Sequence, residues 1–179
     1  LLLGVMAGPE PRRPFTLPAQ DFLSGIDTDL RGKRVAWLAD WGGAYPMEAG
    51  VLATCEAALT RFADLGVSVE AIPAPFDAAQ LWRSWLDLRA FANANRLAPL
   101  YSNPDWRRQL KATAIWEIET GRSLTLDAVQ QASLWRSMWY ARAAELFQTF
   151  DAVILPTAQV WPFALATEYP TEVAGRAMD

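Results

Sequence analysis

Apolar and polar residues change period several times along this chain, and each change marks an element. Between Gly32 and Asp40 the apolar block Val35, Ala36, Trp37 and Leu38 follows Lys33 and Arg34, with Gly42 and Gly43 just beyond. A block this short, running into glycines, predicts a strand rather than a helix. From Met47 to Leu65 the period lengthens, and Val51, Leu52, Cys55, Ala58, Leu59 and Phe62 return every three or four residues. That is one face of an amphipathic helix, and Gly66 stands where its C-terminus needs a left-handed residue. Val67 to Ile72 alternates again before Pro73 and Pro75. The three segments make a strand-helix-strand unit, whose strands are normally parallel, and the fold class is therefore α/β.

Asp77 to Gln148 has helical periodicity, with helices predicted over Ala78 to Asn95, Asp105 to Thr120 and Leu126 to Phe150, separated by L-A-P-L-Y-S-N-P and G-R-S-L-T. Trp82, Trp85, Leu86, Leu88 and Phe91 form an aromatic stripe that reads as core packing of a helical layer. Thr125 is placed to cap the third helix, with Asp127 near its positive end. The opening L-L-L-G-V-M-A-G-P reads as the last turns of a helix stopped at Gly8-Pro9, and not as a signal peptide, which would need a basic start and a longer apolar segment. Proline and polar residues from Pro9 to Asp29, including E-P-R-R-P with solvated arginines, make a surface connection. Ala164 to Asp179 returns to helix-compatible composition.

Phe150 to Phe163, F-D-A-V-I-L-P-T-A-Q-V-W-P-F, is the stretch around which the rest is organised. Asp151 opens an apolar run through Val153, Ile154 and Leu155 that Pro156 ends, and a polar and aromatic segment follows. This reads as a buried strand emptying into a site loop, because ligands bind at the carboxyl ends of strands in α/β proteins. Thr157, Gln159 and Trp161 are the candidates for lining a pocket there, with ordinary loop packing as the alternative.

Composition narrows the chemistry. The chain has 179 residues, 52% of them hydrophobic, nine tryptophans and a net charge of −4. It is globular, and its acidity argues against a nucleic-acid footprint. Cys55 is the only cysteine, so an internal disulfide is impossible, an oxidising compartment gains no support and the cytoplasm is expected. No lysine or histidine lies near Cys55 in sequence to activate it as a nucleophile. The chain has no histidine at all, which removes the Ser-His-Asp triad, the Cys-His dyad and histidine-ligated zinc. W-G-G-A-Y-P matches neither phosphate-binding glycine pattern, and its glycines read as a tight turn that clears space for neighbouring backbone.

One charge stands out. Arg136 shares a helical face with Ala132, Tyr140, Ala143 and Phe147, so it needs a carboxylate, either a protein acid such as Asp151 or an acid of the substrate.

The D-A-V-I-L-P-T-A run with an aromatic-Pro-Phe after it, the upstream G-K-R-V-A-W-L-A-D-W-G-G and the terminal V-A-G-R-A-M-D, in this order and spacing, resemble the amidase signature family. The resemblance spans nearly the whole chain but only part of the family's domain. It implies a mixed sheet layered with helices, with residues 1–179 forming one part of a single amidase domain truncated at both ends. It also implies hydrolysis of carboxamide C–N bonds through a serine nucleophile, a second serine in a cis peptide bond and a neutral lysine, with backbone N–H groups holding the oxyanion. That apparatus is missing here: there is no G-G-S-S run, and Lys33 and Lys111 read as solvated charges among arginines. No catalytic residue is therefore assigned, and the isolated chain is expected to be inactive. In the related glutamyl-tRNA amidotransferase A subunit, an arginine fifteen residues before the aspartate of the P-T strand resembles the group that holds a substrate carboxylate, and Arg136 stands at that spacing from Asp151. The substrate-binding candidates are thus Arg136, Thr157, Gln159 and Trp161. A small-molecule amide is the expected ligand, with no metal, cofactor, nucleic acid or membrane, and a homodimer left open. The rivals are a non-catalytic α/β module that uses its tryptophan-rich helices to bind a partner, and, as the resemblance implies, a glutamyl-tRNA amidotransferase A-type subunit that passes ammonia to a partner.

Overall fold

The computed structural model describes residues 2–12, 16 and 18–178. Leu1, Arg13, Pro14, Phe15, Leu17 and Asp179, which belong to stretches read above, lie outside the described residues. The elements in order are α1 (Leu2–Met6), β1 (Arg34–Trp37), α2 (Val51–Asp64), β2 (Ser68–Ala71), α3 (Ala78–Arg96), α4 (Ala98–Ser102), α5 (Pro104–Arg107), α6 (Ala112–Ser123), α7 (Leu126–Leu146), β3 (Ala152–Ile154), β4 (Glu172–Val173) and β5 (Arg176–Ala177). The class is α/β, as the periodicity predicts.

β1 is the middle of a parallel sheet ordered β2-β1-β3. Val35, Ala36, Trp37 and Leu38 are all buried, which is why that stretch carries no polar alternation. α2 provides the crossover from β1 to β2 and packs beside β2. Its C-terminus is closed by a Schellman motif: Gly66 at φ +75° lets the Val67 amide donate to the Phe62 carbonyl (2.9 Å) and the Gly66 amide to the Ala63 carbonyl (2.9 Å). Met47 to Gly50 stand outside the helix, because Gly50 is left-handed at φ +87° and the chain turns there before the first helical residue.

β3 corrects the reading of a fully buried strand. It pairs on one side only, with β1, so Ala152, Val153 and Ile154 are half-buried and Leu155 is exposed. Asp151 fastens its start. The Lys33 Nζ donates to Asp151 Oδ1 (2.8 Å) and the Arg34 amide to Oδ2 (2.9 Å). Lys33 is therefore an ion-pair partner rather than a free solvated charge. The Lys33 hydrogen bond first, and the Arg34 amide second, hold the Asp151 carboxyl below its ordinary value. A carboxyl depressed in the folded state stabilises above its unfolded pKa and loses that contribution as pH falls through its folded value. Asp151→Asn is expected to lower the melting temperature at pH 7 and to flatten its decline on acidification below the ordinary carboxylate range. A variant melting curve parallel to the wild type from pH 7 down to pH 3 would contradict this.

The helical layer departs most from the periodic reading. α3 packs on α6 and α7 through Ser84, Asp87, Ala90, Asn93 and Ala94, all buried, while Trp82, Trp85 and Phe91 of the aromatic stripe are 41%, 48% and 42% exposed. Helix approach decides this. A Cβ built on Gly121 of α6 would lie 2.1 Å from the Ala90 carbonyl oxygen, so the two backbones meet too closely for an indole between them. The small-residue face turns inward instead, and its polar groups are satisfied: Ser84 Oγ donates to the Ala132 carbonyl (2.7 Å), and Glu117 accepts from Arg89 and Asn93. Trp82 and Trp85 stack on each other outside, with ring centroids 5.0 Å apart.

The helix predicted over Asp105 to Thr120 is two helices. Asn103 caps α5 by accepting from the Asp105 and Trp106 amides, and Lys111 is extended at ψ 150°, so α6 begins only at Ala112. The segment L-A-P-L-Y-S, read as a connection, contains α4, with Pro99 in the first turn where its missing N–H costs nothing. Thr125 caps α7 as predicted, accepting from the Ala128 amide (3.1 Å). The stretch after Ala164 is not helical. β4 and β5 form an antiparallel hairpin turned by Ala174 (φ +49°) and Gly175 (φ +79°), the left-handed pair that a two-residue type I′ loop requires. No helix among the described residues is long and apolar enough to cross a membrane.

Candidate functional site

The carboxyl ends of β1 and β3 open on the same side of the sheet, and two loops meet there. The first follows β1. Leu38 still donates to the Ile154 carbonyl (3.0 Å), and then Ala39, Trp41, Gly42 and Gly43 all take positive φ, between 47° and 82°. Left-handed backbone costs a non-glycine residue about 1–2 kcal/mol. Ala39 and Trp41 hold it because the loop is fastened around them: the Gly43 amide donates to Asp40 Oδ1 (2.9 Å) and the Tyr45 amide to the Asp40 carbonyl (3.1 Å).

Trp41 is the hub of this end. Its ring is buried, its Nε1–H donates to the Phe76 carbonyl (2.9 Å) between β2 and α3, and its edge meets Trp139 of α7 at 5.6 Å and Tyr45 at 6.1 Å. Burial pushes the Tyr45 phenol above its ordinary value. Arg176 of β5 reaches across to the Gly43 and Ala44 carbonyls (3.1 and 3.3 Å), tying the terminal hairpin to the same loop.

The second loop follows β3 and carries three of the four residues singled out in the sequence. Gln159 Nε2 donates to the Pro46 carbonyl (2.8 Å), and its own carbonyl accepts from the Glu48 amide (2.8 Å). The Trp161 amide donates to Glu48 Oε2 (2.8 Å) and the indole Nε1–H to the Ala49 carbonyl (3.0 Å). Gln159 and Trp161 are thus brought together around Glu48, their polar groups holding the two loops side by side. Thr157 is exposed on the same loop.

Arg136 is exposed on α7 one turn before Trp139, where its only side-chain hydrogen bond among the described residues is to Ser133 Oγ at 3.4 Å. Asp151 is not its partner, being taken by Lys33. The need for a carboxylate assumed an apolar, covered face; Ala132 is buried, but beyond Arg136 the face is open, with Tyr140 76% exposed and Phe147 57%. No hydrogen bond or ion pair among the described residues joins Arg136 to the loop of Thr157, Gln159 and Trp161.

Trp41, Glu48 and Arg176 organise this end and were missed in the sequence. A tryptophan set directly between a strand and two glycines was a signal for the first. Glu48 and Arg176 act across more than a hundred residues of chain and carried none. These residues do not assemble an acyl-transfer centre of the histidine-based kinds. There is no histidine, Lys33 is paired with Asp151, and no metal-holding group of acidic or thiol side chains occurs among the described residues.

No family model matches this sequence, and no curated protein does. Among solved structures, a bacterial aryl acylamidase belonging to the amidase signature enzymes matches with a TM-score of 0.83 over 96% of this chain, at 21% sequence identity. The fold is part of an amidase signature fold. The chain spans 37% of the length of that solved chain. The amidase signature likeness thus extends across the β1–β3 sheet and the helical layer together, since so little of the chain falls outside the match.

Proposed function

We propose that these residues belong to an amidase that cleaves carboxamide C–N bonds by acyl transfer to a serine outside this chain and then to water. The part seen here supplies sheet, helical cover and one wall of the acyl pocket. The observation that carries the reading is the shared fold over nearly the whole chain, in a sequence that has no histidine and no G-G-S-S run. Thr157, Gln159 and Trp161 line the pocket wall, as residues just beyond the carboxyl end of a parallel strand are placed to do. Arg136, exposed and without a protein carboxylate among the described residues, is available to a carboxylate of the substrate.

The test is the complete natural reading frame, expressed beside this chain and assayed first on aryl acylamides such as 4-nitroacetanilide, then on alkyl amides and glutamine. The complete protein should contain a lysine and a glycine-serine-rich loop ahead of Leu1 and hydrolyse an amide, while the chain alone hydrolyses none. A complete protein lacking those residues, or inert on every amide, would overturn the reading. In the active protein, Arg136→Ala is expected to raise KM for a carboxylate-bearing amide about tenfold, the value of roughly 1.4 kcal/mol of lost charge-assisted binding, without lowering the melting temperature. An unchanged kcat/KM would remove Arg136 from the pocket.

A second reading rests on the exposed Trp82–Trp85 stack, an aromatic surface suited to a protein partner. It requires the chain to fold cooperatively alone as a monomer, and aggregation with dye binding would count against it.

A further inference from the structure

A groove of about 240 Å³ lies between the second site loop and the β4–β5 hairpin. Its chemistry is uneven. The walls include Trp161, Phe163, Pro162 and Pro170, and the charged groups lining it are two carboxylates, Glu48 and Glu172. Trp161 and Phe163 are 43% and 50% exposed, so their rings are open to a ligand. None of the ion pairs among the described residues uses either carboxylate. Arg176, on the strand paired with that of Glu172, sends its guanidinium to the Gly43 and Ala44 carbonyls instead. Glu48 is held in place, because its Oε2 accepts the Trp161 backbone amide (2.8 Å).

We infer that this groove binds a small organic cation, an ammonium group carrying one compact apolar or aromatic substituent. Carboxylates attract the charge, and exposed aromatic faces add cation–π attraction for an ammonium that sheds water. The volume falls below the ~300–1,000 Å³ of pockets for drug-sized ligands, which restricts the occupant to something of about the size of benzylamine. A neutral ligand of the same shape would gain the apolar contact alone, and an anion would be repelled. The groove shares Trp161 with the pocket wall proposed above, but the inference is argued from its own lining and its test reads binding of the cation, not amide hydrolysis.

The experiment titrates the complete natural protein with benzylammonium chloride and, separately, with benzyl alcohol, its neutral counterpart. Calorimetry and the nitrogen–proton signal of the Trp161 indole are followed. Benzylammonium should bind and move the Trp161 signal, benzyl alcohol should bind at least fivefold more weakly, and 0.5 M salt should narrow the difference. Glu172→Gln, on an exposed hairpin position, should weaken benzylammonium binding at least threefold with the rest of the spectrum unchanged. Glu48→Gln keeps an acceptor for the Trp161 amide and should do the same. Equal binding of the two probes, no binding of benzylammonium, or undiminished binding in the double variant would each overturn the inference. The comparison of probes on the unmodified complete protein decides the matter even if a variant fails to fold.

Discussion

Gly121→Ala is expected to lower the stability of this chain by about 3 kcal/mol, although it places the best helix former in the interior of a helix. The intrinsic gain from removing a helical glycine is about 1 kcal/mol. Against it stands geometry: the new Cβ would sit 2.1 Å from the Ala90 carbonyl oxygen, 2.5 Å from its carbon and 2.8 Å from the Ala94 Cβ. The first two are backbone atoms in the middle of α3 and cannot rotate away, so α3 and α6 must separate. That separation loosens the packing of Ile118 and Ala94, both buried at the crossing. For a domain of this length the loss corresponds to a melting temperature lower by roughly 6–12 °C. Gly25→Ala is the control, since its Cβ meets nothing nearer than 3.7 Å and its change should stay within about 0.5 kcal/mol. Because the obstacle is the Ala90 carbonyl, adding Ala90→Gly should not rescue the variant. Rescue, or a melting temperature within 2 °C of wild type, would show that the helices do not cross this closely.

The same crossing explains what was legible in the sequence. β1, α2 and β2 were legible because each signal is local: a four-residue apolar block, a three-to-four period and a glycine that ends a helix. The α/β class followed from those alone. α3 was legible as a helix but not in its orientation. Two stripes run along it, one aromatic and one of Ser84, Asp87, Ala90 and Ala94, and hydrophobicity favours the wrong one. Only the partner's Gly121 selects the small-residue stripe. The hairpin at Glu172 to Ala177 was hidden for a related reason, since Ala174 is a helix former held left-handed by its turn. At the site, the loop after β3 was legible from strand length and Pro156. The grouping of Gln159 and Trp161 around Glu48 depends on hydrogen bonds across 113 residues, beyond any periodic signal. Arg136 was legible as an unusual charge, and of the two kinds of partner it left open, Asp151 is ruled out because Lys33 holds that carboxylate.

Trp41→Ala is expected to cost about 3–5 kcal/mol, the range for truncating a buried aromatic side chain. The loss has three sources. The indole fills the space between the β1 end, the Phe76 segment and Trp139. Loss of the indole N–H leaves the Phe76 carbonyl without that donor, and the edge contacts with Trp139 and Tyr45 disappear. An unusual comparison isolates the backbone. Trp41 has φ +60°, and alanine inherits that strain whereas glycine does not. Trp41→Gly removes one more carbon atom than Trp41→Ala and gives the unfolded chain more freedom. It should nevertheless be the more stable of the two by about 1 kcal/mol, because relief of left-handed strain exceeds the added unfolded-state entropy. Thermal melts of the two variants, each kcal/mol being worth about 2–4 °C, would resolve the order. Alanine above glycine would mean that the loop relaxes to ordinary backbone once the indole is gone. The strain at Ala39 and Trp41 would then be imposed by that one side chain. Glycine above alanine would mean that the Asp40 hydrogen bonds and the Arg176 tether hold the loop by themselves, leaving this end of the sheet pre-shaped for a ligand before one arrives.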